Sequence, residues 1–399
     1  MPPYGVYKIA RSEARLRSSP SRSPRLPSTG TPAITRTIPG MSLDSSSERR
    51  RGILLYGMYD LKGLDRAPEV RIAMMTGALS HRVHTERVVG GRLGRTVAAF
   101  RWLASGGPRR VGAVYVEAST SAALPGDIAF LALMRLLGRP VGVYFRDAYQ
   151  FFRVLYPRQH RRQLLTDWIW RVTMPITRGL ATHHFVPSEG LAEVMHLRRP
   201  ILLPPGTEPG APDQGAGREP LVAYVGGNGW ADGFDALVEA MAIVRDRVPS
   251  ARLLAVTAPL SPERLARLPN WVDLRQAGRA ELPDLLREAR MCVIPRPITE
   301  YTNLAVPVKL FDYLSMGKPI VATDTLETRA LIEASGAGTV TPDTAEGLAG
   351  GILPILADER LARHFAKNAR QYACSPEATW DARARTVLVT LGLADGAAT

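Results

Sequence analysis

Short apolar runs alternate with helix-length stretches along most of the chain. The first run, Ile53–Tyr56 before Gly57, is typical of a strand that is buried on both faces of a parallel sheet. Further runs in the front half predict strands at Val70–Met74, Val111–Val116, Val141–Phe145 and His184–Val186. Helical patterns such as Ile128–Leu137 lie between these runs. The alternation predicts an α/β fold in which helices cover both faces of a parallel sheet.

The pattern stops at Leu203–Gly215 and then begins again. This segment is rich in Pro and Gly and has no apolar period, so it predicts a linker. After it, strands are predicted at Leu221–Val225, Leu253–Val256, Met291–Ile294 and Ile320–Ala322, and helices at Phe234–Val248, Leu282–Ala289 and Val308–Ser315. The back half therefore predicts a second doubly wound α/β domain.

These patterns divide the chain into five segments. Residues 1–50 are a basic arm rich in Ser, Pro and Arg, for which we expect disorder, and Met41 is an alternative natural start. Residues 51–205 are predicted as an N-terminal Rossmann-like domain and 206–219 as a linker. Residues 220–375 are predicted as a C-terminal Rossmann-like domain, and 376–399 as a helix and tail.

Composition limits the class of protein. Of the 399 residues, 45% are hydrophobic and 22% are charged, which excludes a collagenous, coiled-coil or wholly disordered chain. Two cysteines, Cys292 and Cys374, are too few for a disulfide framework, and no CxxC or Cys/His cluster is present to hold zinc, so we expect a reducing compartment. Arg135 and Arg139 interrupt the longest apolar run, and the N-terminus lacks a signal-peptide pattern. We therefore predict neither a membrane span nor a signal peptide.

The net charge of +14 is unevenly distributed. Residues 51–210 carry 22 basic and 11 acidic side chains, whereas residues 211–399 carry 20 basic and 23 acidic ones. A basic front half fits an anionic membrane, nucleic acid or a phosphorylated substrate. Residues 153–178 predict a basic helix with aromatic side chains, which either lies on an anionic membrane or packs its apolar face on the first sheet.

The segment Cys292–Asp324 carries the main chemical motif. Its strand ends at Pro295, a helix begins at Pro307, and Gly317 ends that helix. Helix N-termini and the carboxyl ends of parallel strands attract anionic ligands, so we predict an anion site here. Its candidate residues are Arg296, Lys309 and Asp312, and the loop between the strand and the helix also contains Glu300 and Asn303. The alternative is that Asp312 only complements the helix dipole and Lys309 is solvated.

The same segment resembles the signature of retaining glycosyltransferases of the GT-B fold, in particular glycosyltransferase family 4. The match consists of Pro307, Lys309, Leu310, Phe311, Asp312, Tyr313, Gly317, Lys318, Pro319, Ile320, Val321, Ala322 and Thr323. Weaker matches follow the family's order at Val186–Glu189, Pro204–Gly206, Tyr224–Gly227 and Thr379–Trp380. The resemblance implies two Rossmann-like domains that face a cleft, with a C-terminal helix that crosses back to the first domain.

The resemblance also implies roles for individual residues. In that family the carboxylate at the Asp312 position binds the ribose of a nucleotide-sugar donor. The other donor-binding candidates are Gly63, Gly226, Gly227, Arg296, Asn303 and Lys309. The chain departs from the family at Leu304, where an acidic residue is usual, and this makes Glu300 the nearest catalytic candidate. The loop Gly227–Gly233 lacks the Arg and Lys that hold the diphosphate, and Arg296 and Lys309 are the candidate substitutes.

The first domain is expected to hold the acceptor. Asp147 follows a predicted strand and resembles the acidic residue of the family's His–Asp pair, so it is the second catalytic candidate. It would orient the acceptor or act as a base. The alternative is a carboxylate that caps a helix.

We therefore predict a GT-B glycosyltransferase that moves a sugar from a nucleotide-sugar donor to a glycan or lipid-linked acceptor in the synthesis of a cell-surface polysaccharide or glycolipid. The resemblance implies retention of configuration and no need for a metal or other cofactor. We expect a cytoplasmic protein, with an anionic membrane surface as a further partner and no nucleic acid. Two alternatives stay open: a catalytically inactive GT-B binding or scaffold protein, and a GT-B sugar-nucleotide epimerase.

Overall fold

Two parallel sheets organise the described part of the chain. The computed structural model describes residues 52–61, 67–118, 122–152, 155 and 161–393. The predicted arm 1–50 and the donor-binding candidate Gly63 lie outside the described residues.

The first sheet has six strands in the order β2-β1-β3-β4-β5-β6. They are β1 Gly52–Gly57, β2 Thr85–Val89, β3 Val111–Glu117, β4 Val141–Tyr144, β5 His183–Val186 and β6 Ile201–Leu202. All six residues of β1 are buried, because helices cover both faces of a parallel sheet.

The second sheet has six strands in the order β12-β11-β10-β7-β8-β9. They are β7 Leu221–Val225, β8 Arg252–Val256, β9 Val272–Arg275, β10 Met291–Ile294, β11 Ile320–Thr323 and β12 Gly338–Thr341. The strand order reverses between β7 and β10, and ligands of doubly wound sheets bind at the carboxyl ends of the strands at such a point. The predicted α/β architecture with two parallel sheets is confirmed.

Helices connect the strands and cover the sheets. In the front half they are α1 Ala67–Ser80, α2 Arg92–Ala104, α3 Gly107–Arg110, α4 Pro125–Leu136, α5 Arg161–Leu180 and α6 Glu189–Val194. In the back half they are α7 Phe234–Arg247, α8 Pro262–Ala266, α9 Leu282–Leu286, α10 Val308–Ser315, α11 Leu326–Ser335, α12 Ala345–Ala357, α13 Glu359–Ala373 and α14 Trp380–Thr390. No helix among the described residues is long and apolar enough to cross a bilayer.

The last helix, α14, returns to the first sheet. Its buried residues Trp380, Ala384, Val387 and Leu388 share one apolar cluster with residues of β1, β3 and α1. The helix therefore returns to the first domain, as the resemblance implies. At its N-terminus, Asp381 forms an ion pair with the buried Arg82, whose Nε donates to Asp381 Oδ1 over 2.6 Å.

The strand predicted at Val70–Met74 is wrong, because these residues lie inside α1. The buried side chains Ile72, Met75 and Leu79 recur at helical spacing. A short apolar run does not by itself distinguish a strand from one side of a buried helix.

The face that α5 buries is not the one with its large aliphatic residues. Among the side chains of α5 that the structure describes, those of Asp167, Trp170, Thr173 and Thr177 are buried. Leu164, Leu165, Trp168, Val172 and Ile176 are all more than 40% exposed. The alternative in which the apolar face of this helix packs on the first sheet is therefore wrong.

Candidate functional site

A cavity of about 940 Å³ lies between the two sheets, at the carboxyl ends of their strands. Residues after β4 line it from the front half, and residues after β7 and β10 line it from the back half. The switch point of the second sheet therefore opens into this cleft, as expected for a ligand site in a doubly wound sheet.

The floor of the cleft on the back half combines two glycines with two cations. Gly226 and Gly227 follow β7, Arg296 follows β10, and Lys309 lies in the first turn of α10. A Cβ atom at Gly226 would overlap the Nζ atom of Lys309, so the absence of a side chain there leaves room for the ammonium group. The structure thus brings together four of the predicted donor-binding candidates.

The ammonium group of Lys309 has few negatively charged groups near it in the described part of the chain. Its Nζ atom lies 4.9 Å from the centre of the Tyr224 ring. Burial and, to a smaller extent, the positive charge of Arg296 lower the pKa of Lys309 to about 8, although Asp232 opposes the shift. A partly desolvated ammonium group in a cleft is suited to bind an anion. The alternative in which Lys309 is simply solvated is wrong.

The backbone turn at Gly233 positions this floor. Gly233 has a φ of 73°, and a Cβ atom there would collide with the carbonyl oxygen of Pro295. Any other residue would push the start of α7 away from the end of β10. The loop after β7 therefore depends on glycine for its close approach to Arg296.

Asp312 is bound by an arginine that the sequence analysis did not single out. Arg279, in the turn before α9, donates to Asp312 Oδ1 over 2.7 Å and to Glu208 Oε2 over 2.6 Å. Burial raises the pKa of Asp312, and Arg279 opposes that rise. Asp312 lies in the second turn of α10, so the structure does not support the alternative in which it complements the helix dipole.

Asp147 lies on the opposite wall of the cleft. Its Oδ2 atom accepts a hydrogen bond from Arg146 Nε over 3.1 Å, and its Oδ1 atom accepts one from the Tyr301 hydroxyl over 2.8 Å. Tyr301 belongs to the loop after β10, so this hydrogen bond joins the two halves of the chain. The carboxylate is therefore held in one orientation and does not cap a helix.

Other predicted residues lie outside the cleft wall. Glu300 is exposed, and this placement does not support its predicted catalytic role. The side chain of Asn303 accepts a hydrogen bond from the Leu326 backbone N–H over 3.1 Å and so caps α11. Leu304 lies against Gly190 of the front half, where a Cβ atom would overlap its side chain.

The cleft residues that the sequence analysis missed include Arg71, Arg146, Arg279 and Tyr301. A signal existed for Arg279, because Gly278 precedes it and a helix follows, as at other strand ends. The others become visible only when the two sheets face each other. Among the described residues, no three His, Cys, Asp or Glu side chains are grouped closely enough to hold a metal ion.

Comparisons with known proteins agree with this architecture. Residues 219–358 match the model of the family described as glycosyl transferases group 1. No curated protein sequence matches the chain.

Several solved structures share the fold. WaaG, a glycosyltransferase involved in lipopolysaccharide biosynthesis, is 15% identical with a TM-score of 0.60, over 84% of this chain and 99% of WaaG. HepE from Anabaena, solved in complex with UDP and glucose, is 16% identical with a TM-score of 0.60, over 86% of this chain and 100% of HepE. A putative UDP-N-acetylglucosamine 2-epimerase from Listeria monocytogenes is 12% identical with a TM-score of 0.54, over 86% of this chain and 96% of that protein.

Proposed function

We propose that this chain, whose C-terminal domain belongs to the glycosyl transferases group 1 and whose fold is GT-B, transfers a sugar from a nucleotide-sugar donor to a glycan or lipid-linked acceptor. The fold predicted from the sequence is confirmed, and the predicted family matches residues 219–358. The donor, the acceptor and the steps that follow belong to the proposal.

The observation that carries the proposal is the position of Lys309 beside Gly226 at the switch point of the second sheet. A diphosphate placed on this floor would meet the Lys309 ammonium, the Arg296 guanidinium and the backbone after β7. The ribose would then lie towards Asp312, whose second oxygen can accept from a hydroxyl while Arg279 holds the first. HepE, which has the same fold, is a protein that binds UDP and glucose.

In the proposed reaction, the bond between the sugar and the diphosphate breaks and negative charge develops on the leaving phosphate. Lys309 and Arg296 would stabilise that charge, because both already line a partly desolvated cleft. This role needs no metal ion. The proposed outcome at the anomeric carbon is retention, as the resemblance to family 4 implies.

Asp147 faces the donor floor from the acceptor side of the cleft. A carboxylate in this position can orient an acceptor hydroxyl and accept its proton as the new glycosidic bond forms. The Arg146 and Tyr301 hydrogen bonds keep Asp147 aimed in one direction. We assign Asp147 this role and assign none to Glu300.

The proposed setting is the inner face of a membrane, where a cell-surface polysaccharide or glycolipid is assembled. Helices α2, α4 and α5 pack side by side and expose large apolar residues. This apolar outer face consists of Leu93, Phe100, Leu133, Leu136, Leu137, Leu164, Leu165, Trp168, Val172 and Ile176. Arg101, Arg135 and Arg171 are exposed on the same helices, whereas their acidic residues Asp127 and Asp167 are buried. Apolar and cationic groups together favour an anionic membrane surface.

Two other functions fit the fold. A sugar-nucleotide epimerase has the same architecture, as the Listeria protein illustrates. An inactive binding protein is favoured by Leu304, which packs on the other half of the chain instead of presenting a carboxylate to the donor.

The test is a thermal-shift titration with UDP, GDP, ADP and their sugars. The proteins compared are the wild type, Lys309→Met, Asp312→Asn and the control Lys367→Met, which alters an exposed lysine. A ligand at 100 times its Kd stabilises the folded state by about 2.7 kcal/mol. We expect one nucleotide series to stabilise the wild type and the control but neither cleft variant.

The same samples separate the three functions. Release or isomerisation of the donor sugar without any acceptor would favour the epimerase. If no nucleotide stabilises the wild type, and the wild type unfolds cooperatively, the inactive binding protein is favoured and the proposal is refuted.

A further inference from the structure

Two buried arginines, Arg71 of α1 and Arg146 after β4, line the front half of the cleft. Arg71 is 1% exposed, and the side chain of Arg146 is 12% exposed. Both lie close to Tyr144: the Arg71 guanidinium stacks on its ring at 3.5 Å, and both arginines oppose the rise in the pKa of Tyr144 that burial causes. The two cations therefore share one corner of the cleft.

The carboxylates beside these arginines already have other donors. Glu117 Oε1 accepts from Arg71 Nε over 3.0 Å and from the Tyr115 hydroxyl over 2.7 Å. Asp147 accepts from Arg146 and from Tyr301, as described above. Each carboxylate therefore accepts one hydrogen bond from an arginine and another from a tyrosine.

Each guanidinium retains an unused donor. Among the described residues, the buried Nη1 atoms of Arg71 and Arg146 have no hydrogen-bond partner. Buried polar groups are almost always paired in folded proteins, so two such donors in one corner of a cleft require an acceptor.

The charge around this corner is unbalanced in the same direction. Arg383 of α14 lies close enough to Arg71 for its own pKa to be lowered by that neighbour. Among the described residues, the guanidinium groups of Arg71, Arg146 and Arg383 thus lie near two carboxylates, Glu117 and Asp147. An excess of buried positive charge is unfavourable until an anion compensates it.

We propose that Arg71 and Arg146 form a subsite for an anionic group, a phosphoryl or carboxylate group carried by the acceptor. This inference rests on the proposed function and specifies its acceptor as an acidic one. A guanidinium fork matches both groups, because it presents parallel N–H donors to paired oxygens. The donor diphosphate has its own cations, Lys309 and Arg296, on the opposite half of the cleft.

The experiment measures binding of small acidic sugars by calorimetry. The probes are methyl β-D-glucuronide and glucose 6-phosphate, with the neutral methyl β-D-glucoside as the matched control, each titrated with and without saturating UDP. We expect both acidic probes to bind at least tenfold more tightly than the neutral sugar, and Arg146→Gln to remove that difference. Arg252→Gln, which removes an exposed arginine elsewhere, is expected to keep it.

A second pair of variants distinguishes loss of the anion subsite from unfolding of the protein. Arg146→Lys and Arg71→Lys keep the positive charge and lose the fork, so we expect them to fold and to bind acidic probes at an intermediate affinity. Equal binding of acidic and neutral sugars by the wild type would overturn the inference. So would a loss of UDP affinity in Arg146→Gln as large as that in Lys309→Met, since the arginines would then belong to the donor.

The UDP titrations test the proposed function, whereas the titrations with acidic sugars test this inference. If UDP binds and acidic probes gain nothing from Arg146, the acceptor assignment fails while the donor site stands. If acidic probes bind through Arg146 and no nucleotide binds, the anion subsite stands while the glycosyltransferase proposal fails. A preference for only one of the two acidic probes identifies which anionic group the acceptor carries.

Discussion

The hydroxyl group of Tyr301 donates a hydrogen bond to Asp147 across the cleft, over 2.8 Å. The two residues are 154 positions apart in sequence and belong to opposite halves of the chain. The rings of Tyr149 and Phe152 flank Tyr301, with centroids 5.0 and 5.5 Å from its own. The orientation of the proposed acceptor-side carboxylate therefore depends on contact between the two halves.

Replacing Tyr301 by Phe should affect catalysis more than folding. The change removes the hydrogen bonds of the hydroxyl with Asp147 and Tyr149, each of which contributes about 1 kcal/mol, and the ring contacts with Tyr149 and Phe152 remain. We expect a thermal midpoint a few degrees lower, and a lower kcat with little change in the KM for the donor. Tyr372→Phe, outside the cleft, is the control; an equal fall in kcat there would argue against a role for the Tyr301 hydroxyl.

Nucleotide binding should weaken as Lys309 loses its proton. The pKa of Lys309 is lowered to about 8, and only the protonated form neutralises a diphosphate. Between pH 7 and pH 9 the protonated fraction in the free protein falls about tenfold, so the Kd for UDP should rise by up to about tenfold. Calorimetry across this range measures it. Lys309→Met should bind weakly throughout and lack this dependence, and a retained tenfold change in that variant would assign the effect to another group.

Deprotonation of Lys309 weakens nucleotide binding but stabilises the folded state. Folded Lys309 holds its proton less tightly than an unfolded lysine, whose pKa is 10.5. The unfolded state therefore binds more protons between pH 8 and 10.5, and the contribution of Lys309 to the free energy of unfolding increases across that window. A comparison of urea midpoints for wild type and Lys309→Met at several pH values isolates this contribution.

The apolar outer face predicts binding to anionic vesicles. Trp168 is 63% exposed on α5, within a surface of apolar and cationic residues. Trp168→Ser should reduce co-sedimentation with phosphatidylglycerol vesicles severalfold, because less apolar area enters the interface. The matched control is Trp230→Ser, which removes a tryptophan that is 62% exposed on the back half. Equal binding to neutral and anionic vesicles would contradict the contribution of Arg101, Arg135 and Arg171.

Neighbouring residues of α14 test the returning helix. Leu388 is 0% exposed, whereas Val389 is 66% exposed. Leu388→Ala should lower the free energy of unfolding by about 2–5 kcal/mol through lost contacts and a cavity. Val389→Ala should change it by less than about 0.5 kcal/mol. Similar losses for both variants, measured by denaturant unfolding, would mean that α14 is held less firmly than its burial indicates.

The sequence predicts those parts of the fold and of the site whose residues are close together in the chain. β10, the loop after it and α10 are contiguous, and Pro307 and Gly317 mark the ends of that helix. The sequence predicts Arg296 and Lys309 in one site because Arg296 follows a strand end and Lys309 begins the next helix, whereas Gly226 is implied by the family resemblance. β9 was missed, since no residue of this edge strand is fully buried and its apolar signal is weak.

Contacts between distant segments could not be predicted in this way. Arg279 reaches Asp312 only because the turn after β9 folds over the start of α10. The Asp147–Tyr301 hydrogen bond forms only when the two sheets face each other at the separation that the structure shows. The exposed face of α5 was also hidden, because Trp170 and Asp167 point inward and the periodicity alone favours its leucines.

The return of α14 to the first sheet sets an order of events during synthesis. The cluster that contains Ile53, Leu55 and Ile72 is completed by Trp380 and Leu388, near the end of the chain. About 180 residues are made between β6 and α14, which takes on the order of 10–40 s at cellular elongation rates. During that interval the nascent front half leaves an apolar groove uncovered. The ribosome-bound chain should accordingly be a substrate for holding chaperones until α14 has been made.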